Sequence, residues 1–138
     1  MAEVVVRVDE RERGRVLKAL EEAEDIRLER EELAFGDYIL PDGLVVERKS
    51  ATDFVLSVVD GGLWENIEHL TQAHRQVLYI IEGDPYVTRF HQKALDVHRA
   101  FARMVVDHGI AVLPSPDAEQ TGVLLVLMTR ALAQRAAS

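Results

Sequence analysis

Asp37 and the run Glu47-Arg48-Lys49 are residues whose types and spacing could do chemistry. Between them lie Tyr38-Ile39-Leu40, then Pro41-Asp42-Gly43, then Leu44-Val45-Val46. Proline, aspartate and glycine together predict a turn, and the flanking apolar segments predict the two strands of a hairpin. A hairpin brings its ends together, so Asp37 is expected beside the Glu47-Arg48-Lys49 run. Side chains alternate along a strand, which puts Glu47 and Lys49 on one face. Two carboxylates offer oxygen ligands to a hard cation, Mg2+ or Mn2+. Such an ion polarises a phosphoryl oxygen and lowers the pKa of a bound water. A lysine beside it can orient that water or help to deprotonate it. This is the equipment for phosphodiester hydrolysis. On spacing alone, a solvated strand end is the commoner explanation of Glu-Arg-Lys after an apolar strand.

The elements that would position these residues follow from periodicity. Val4 to Val8 is rich in β-branched residues and predicts a buried strand with Asp9 at its end. Val16, Leu17, Leu20 and Ala23 have helical spacing within Arg13 to Ala23. Ile26 to Leu33 alternates loosely, as a strand does. Ser50 and Asp53 form a capping pattern that starts a helix, and Asp60-Gly61-Gly62 breaks it. Helix is expected again over Leu63 to Ala73, then strand over Val77 to Ile81. Lys93 to His108 is expected to be a helix with Val97, Phe101, Met104 and Val105 on one stripe. Ile110 to Leu113 reads as a short strand and Pro116 to Gln134 as the last helix. The order βαβββααβαβα predicts an α/β fold with a mixed sheet.

Bulk properties bound the function. The 138 residues suit one domain with a sizeable core, and 48% are hydrophobic, which excludes a disordered chain. There is no cysteine, so thiolate ligands and thiol nucleophiles are excluded. No signal-peptide pattern opens the sequence, and the apolar run Gly122 to Met128 is too short to span a bilayer. A cytoplasmic, DNA-associated protein is expected. The formal charge of -8 is the wrong sign for gripping nucleic acid through a net field. Bound metal or a local basic patch would have to offset it.

Several short motifs occur in order: Val8-Asp9-Glu10-Arg11-Glu12, Gly36-Asp37-Tyr38, Val46-Glu47-Arg48-Lys49-Ser50, Asp53-Phe54 and Asp60-Gly61. Together they resemble the nuclease domain of the XPF family of structure-specific endonucleases, and the likeness continues through Val77 to Gly83. The resemblance implies a restriction-endonuclease-like fold, a mixed central sheet flanked by helices. It implies a metal held by Asp37 and Glu47, with Asp9 close by as a further candidate ligand. Lys49 would act on the attacking water. Glu12 would support a metal or a water, and Arg11 and Arg48 would order the site or meet phosphate. Asp9 has a plainer alternative as a helix N-cap, and Asp53 as the capping partner of Ser50.

The sequence also departs from the family pattern. Gly62 and His69 stand where the family usually has arginine, and Asn66 where it usually has glutamine. Losing two cations beside a phosphate site is expected to weaken the hold on DNA. The helix-hairpin-helix domain common in the family is not evident in residues 1–138, so a single nuclease domain is expected, either free-standing or part of something longer. Arg89 and Lys93 form a small basic cluster with His91 that could touch DNA, although a solvated loop explains it as well. His69, His74, His91, His98 and His108 show no compact metal motif. Trp64 is expected to pack rather than to stack on bases, and Phe90 is an aromatic that could stack on bases.

Gly122 to Met128 is apolar almost all round. One face can lie on the sheet and the other needs cover. The resemblance favours an isologous homodimer through the C-terminal helices; the alternative is cover by the Lys93 to His108 helix alone. The function expected is metal-dependent hydrolysis of phosphodiester bonds in branched or flapped DNA, of the repair and recombination type. A separate DNA-binding or repair partner is compatible with it. The alternative is a catalytically weak or inactive XPF-type subunit that pairs and positions DNA.

Overall fold

The computed structural model describes residues 3–90 and 94–137. Six strands form one sheet: β1 (Val4–Asp9), β2 (Ile26–Glu31), β3 (Tyr38–Ile39), β4 (Leu44–Ser50), β5 (Gln76–Glu82) and β6 (Ala111–Ser115), in the spatial order β2-β1-β3-β4-β5-β6. The helices are α1 (Val16–Glu22), α2 (Ala51–Asp60), α3 (Gly62–Ala73), α4 (Ala94–Val106) and α5 (Ala118–Ala137). Their order along the chain is the one expected from the sequence, and the fold is a mixed α/β sheet covered by helices on both faces.

Strand direction decides where a site can form. β1 pairs parallel with β2, β4 with β5, and β5 with β6, while β3 runs antiparallel between β1 and β4. Every strand but β3 therefore ends at the same edge of the sheet, and β3 begins there. Ligands of open α/β sheets bind outside these carboxyl ends. Asp9, Asp37 and Glu47-Arg48-Lys49 all fall at this edge.

Both faces of the sheet are buried. Val45, Phe54, Ile67, Tyr79, Val97 and Met104 form a core under α2, α3 and α4. Val8, Leu20, Tyr38, Val46, Ile80 and Leu125 form a second core under α1 and α5. β5 supplies alternate residues to each, which is why its sequence is a continuous apolar run rather than an alternating one.

Two expectations about helices are corrected. α5 is not covered by α4, which lies on the opposite face of the sheet. Its second face packs on α1 instead. A Cβ on Gly122 would lie 2.4 Å from the Val16 carbonyl oxygen, so glycine permits this close crossing. Much of the apolar surface of α5 is thus absorbed within the chain, and Leu125 and Val126 are both buried. On α4, Val97, Ala100 and Met104 face the core, but Val105 points to solvent. The buried stripe of α4 is thus one residue narrower than its periodicity predicts. Among the described residues no helix is long and apolar enough to cross a membrane.

Candidate active site

The hairpin forms as its turn residues dictate. Pro41–Gly43 make a single 3-10 turn in which Asp42 takes φ 66, a left-handed conformation that aspartate tolerates. Tyr38 then pairs with Val46. Gly36 has φ +90, and a Cβ there would lie 2.4 Å from Val45 Cγ2. Only glycine lets the chain enter β3 this close to β4. Asp37 is thereby pinned: its N–H donates to the Val46 carbonyl at 2.9 Å, and its Oδ2 accepts the Arg48 N–H at 2.8 Å.

The Asp37 and Glu47 carboxylates are close enough for each charge to act on the other. Burial, and then the neighbouring Glu47 charge, push Asp37 up to about 8. Glu47 is held from its other side by Asn66 of α3, whose Nδ2 donates to Glu47 Oε2 at 2.6 Å and to the Tyr79 hydroxyl at 2.6 Å. Burial pushes the Tyr79 phenol up, so it stays neutral beside the acids. Lys49 follows Glu47 on the same face of β4 and is half-buried. It makes no ion pair among the described residues.

Asp9 reaches the same edge but is otherwise engaged. Its N–H donates to the Asp37 carbonyl at 2.9 Å, which couples β1 to the site backbone. Its carboxylate accepts from Arg11 Nε at 2.7 Å, from the Arg11 N–H at 3.2 Å and from the Leu33 N–H at 2.9 Å. The Arg11 hydrogen bond, above all, holds the Asp9 carboxyl below its ordinary value. Asp9 is therefore no helix cap: α1 starts at Val16 with Arg15 before it and no side-chain cap. Among the described residues no three carboxylates or imidazoles converge as closely as a metal cage requires. The acids brought together are the pair Asp37 and Glu47.

Glu12 and Arg48 belong to the opposite face. Alternation turns Arg48 away from Glu47 and Lys49. Its Nε donates to Glu82 at 2.6 and 2.7 Å, and its Nη1 reaches Glu12 at 3.4 Å. Burial raises the Glu12 carboxyl above its ordinary value. The Tyr38 hydroxyl lies in electrostatic reach of Glu12 yet closes no hydrogen bond of good geometry. Arg48 thus braces two carboxylates and is not presented to a phosphate.

The remaining candidates are dispersed. Ser50 caps α2, accepting the Asp53 N–H at 3.1 Å. Trp64 is partly buried and stacks on His108, with Arg103 over its ring. His69 stacks on Phe35, and His98 bonds the Tyr86 hydroxyl. Arg89 lies over the exposed Phe90 ring at 5.1 Å. His91 and Lys93 lie outside the described residues. Sequence reasoning missed the Glu82 brace and the Asn66 bridge. Glu82 carried a signal, an acid ending the core strand next to β4; Asn66 carried one only through the family pattern, standing where that pattern usually has glutamine.

The mixed six-stranded sheet with helices on both faces has the restriction-endonuclease-like fold of nuclease domains. The chain belongs to the ERCC4 domain family, whose model matches residues 8–128, and it is an XPF-type nuclease domain. It is 28% identical over 125 residues to the 3'-flap repair endonuclease Xpf of Saccharolobus solfataricus, covering 88% of this chain and 54% of that protein. It is 37% identical over 119 residues to a Methanocaldococcus jannaschii protein provisionally named an ATP-dependent RNA helicase, covering 86% of this chain and 14% of that one. The XPF structure from Aeropyrum pernix in complex with DNA superposes with a TM-score of 0.87 at 30% identity, over 96% of this chain and 66% of that one. This chain spans about half the length of the flap endonuclease and a small part of the helicase-named protein.

Proposed function

We propose that this domain hydrolyses phosphodiester bonds in branched or flapped DNA with a divalent ion, Mg2+ or Mn2+, held by Asp37 and Glu47. The observation that carries the proposal is the pairing of these two acids at the carboxyl edge of the sheet, with Lys49 two residues beyond Glu47 on the same face of β4. The donor set fits: two hard oxygen donors lie so close that Asp37 retains a proton in the absence of a cation. When bound, the ion supplies Lewis-acid polarisation of the phosphoryl oxygen and a more acidic water. Asn66 orients the Glu47 carboxylate, and the Arg48 N–H orients that of Asp37. Lys49 takes part in orienting and deprotonating the attacking water and in balancing developing charge. Asp9 sets the Asp37 backbone and becomes a third ligand only if the exposed Arg11 releases it.

DNA as the substrate class is supported by the flap endonuclease likeness and by the DNA complex of the similar structure. A homodimer is part of the same reading. On α4, Leu95, Ala102 and Val106 are spaced i, i+7 and i+11 on one exposed stripe, and Leu56 and Val59 of α2 are also exposed. Cleavage of nicked, flapped and duplex DNA with manganese tests the proposal. Structure-dependent cutting that Asp37→Asn abolishes is expected; activity equal in the wild type and Asp37→Asn overturns it.

A further inference from the structure

Phe35 and His69 stack face to face, with ring centroids 5.0 Å apart and planes 5° from parallel. Both are open to solvent: Phe35 is 37% exposed and the His69 side chain 47%. The pair is tied to the acid pair from both sides. Phe35 stands two residues before Asp37, across the Gly36 that is locked against Val45. His69 stands three residues beyond Asn66 on α3, on the same side of the helix as the amide that holds Glu47.

Of the nearby cations, the two arginines are engaged elsewhere. Arg11 is paired with Asp9, and Arg48 with Glu82 and Glu12. The His69 Nε2 lies 3.8 Å from Glu65. At this rim of the site the chain offers a π surface and, apart from Lys49, no cation that is not paired with an acid. Stacking on a nucleobase needs no cation, tolerates any base, and requires that the base be unpaired.

We propose that the Phe35–His69 pair is a stacking platform for an unpaired nucleobase next to the scissile phosphate. The pair would position the single-stranded arm or the frayed junction of the DNA. This rests on the nuclease reading above and adds a positioning element to it. The two rings already touch, so the base takes an outer face of the pair rather than the space between. A platform of this kind also supplies the selectivity for branched over fully paired DNA that an acidic domain cannot obtain from phosphate contacts. The competing account is packing alone, in which Phe35 shields the Gly36 entry to β3 and any large apolar side chain would serve.

The test uses flapped DNA with 2-aminopurine in the single-stranded arm beside the junction, and the same sequence fully paired. Wild type, Phe35→Ala, Phe35→Leu and Phe35→Trp are compared for binding, base fluorescence and salt dependence. Wild type and Phe35→Trp are expected to stack on and quench the probe. Phe35→Ala and Phe35→Leu are expected to lose the quench and to bind flapped DNA about ten-fold more weakly, with an unchanged salt slope and unchanged duplex binding. Phe35→Leu keeps the apolar bulk, so it remains informative if the alanine variant misfolds. Wild-type quenching and affinity in Phe35→Leu, with cleavage retained, overturn the platform alone. A wild type that neither binds nor cuts any of these DNAs overturns the platform and the nuclease reading together.

Discussion

Asp37 and Arg48 are joined through the backbone: Asp37 Oδ2 accepts the Arg48 N–H at 2.8 Å, while the Arg48 side chain crosses to the other face of the sheet and meets Glu82. One residue therefore serves both faces. Its amide aims a site carboxylate, and its guanidinium fixes the strand that carries the amide. Removing the side chain leaves Glu82 and Glu12 unpaired in a half-buried setting, an arrangement more costly than losing the attraction itself. Arg48→Ala is expected to destabilise the fold by roughly 3 kcal/mol. Glu82→Gln, which keeps an acceptor, is expected to cost less. Urea unfolding of the two variants checks this; an Arg48→Ala midpoint equal to wild type means that the brace is idle.

The pH dependence follows from Asp37. Its folded-state value is raised to about 8, above the ordinary 3.8. Between those values the folded chain keeps a proton that the unfolded chain releases, so metal-free stability falls as pH rises through that window. Asp37→Asn removes the clash with Glu47 and is expected to raise the metal-free melting temperature at pH 8 by about 3–5 °C, as for about 1 kcal/mol in a domain of this size. A divalent ion must displace the same proton, so affinity for manganese is expected to rise with pH up to about 8. Calorimetry in buffers of different ionisation enthalpy reads the released proton. Binding that is independent of pH, or equal in Asp37→Asn, rejects the assignment.

Chemistry and support can be separated at Lys49 and Asn66. Lys49→Ala is expected to lower single-turnover cleavage by about 10²–10⁴-fold and to leave manganese affinity unchanged. Asn66→Ala frees Glu47 to rotate and is expected to weaken manganese binding by about ten-fold. Chelation is expected to abolish cleavage in all of them. If Lys49→Ala cuts at the wild-type rate, the water is handled by another residue.

Much of this site was legible because it is local. The Pro41-Asp42-Gly43 turn fixed the register of Tyr38 on Val46, and alternation alone separates Glu47 and Lys49 from Arg48. What was not legible lies in long-range pairing. Nothing in the order of residues says that β3 enters between β1 and β4, yet this insertion places the Asp37 carbonyl on the Asp9 amide. Asn66 sits nineteen residues from Glu47 in a helix whose polar face reads as solvated. The cover of α5 was misjudged for a similar reason: periodicity shows that a face is apolar but not which helix lies on it. Gly122, the residue that lets α1 approach, read as a part of the apolar run.

Electrostatics gives a prediction about grip. With a formal charge of -8 and the site arginines engaged with carboxylates, few counterions are released when DNA binds. Affinity is expected to be weak and its dependence on salt shallow. Gly62→Arg adds a cation at the start of α3. The new Cβ would meet Asp60 Oδ1 at 3.0 Å, an exposed and movable neighbour, so the change is expected to be tolerated. It is expected to tighten flapped-DNA binding several-fold in low salt and to steepen the slope by about one ion. A steep slope in the wild type would point to a basic surface elsewhere, with Arg89 the first residue to test.

More large apolar surface is left in water on α4 than on α5. On α5 the large apolar side chains left in water are Val123 at 37% and Leu127 at 57% exposed. On α4, Leu95 is 55% and Val106 79% exposed, and Val59 of α2 is 61% exposed. Leu95, Ala102 and Val106 leave apolar surface along one side of α4, interrupted by the exposed His98 and Arg99, and Val59 of α2 adds to the apolar surface left in water. At roughly 25 cal/mol per Å2 of apolar surface, a standard-sized interface over this side drives association even after the rigid-body cost. Charge placed there disturbs no core contact, whereas charge at Leu125 or Val126 enters the core and is expected to unfold the domain. Val106→Glu is therefore expected to convert a micromolar dimer to a folded monomer, while Leu127→Glu leaves the dimer intact. Sedimentation equilibrium of wild type and both variants decides the matter. A monomeric wild type removes the dimer, and a dimer broken by Leu127→Glu alone returns the interface to α5.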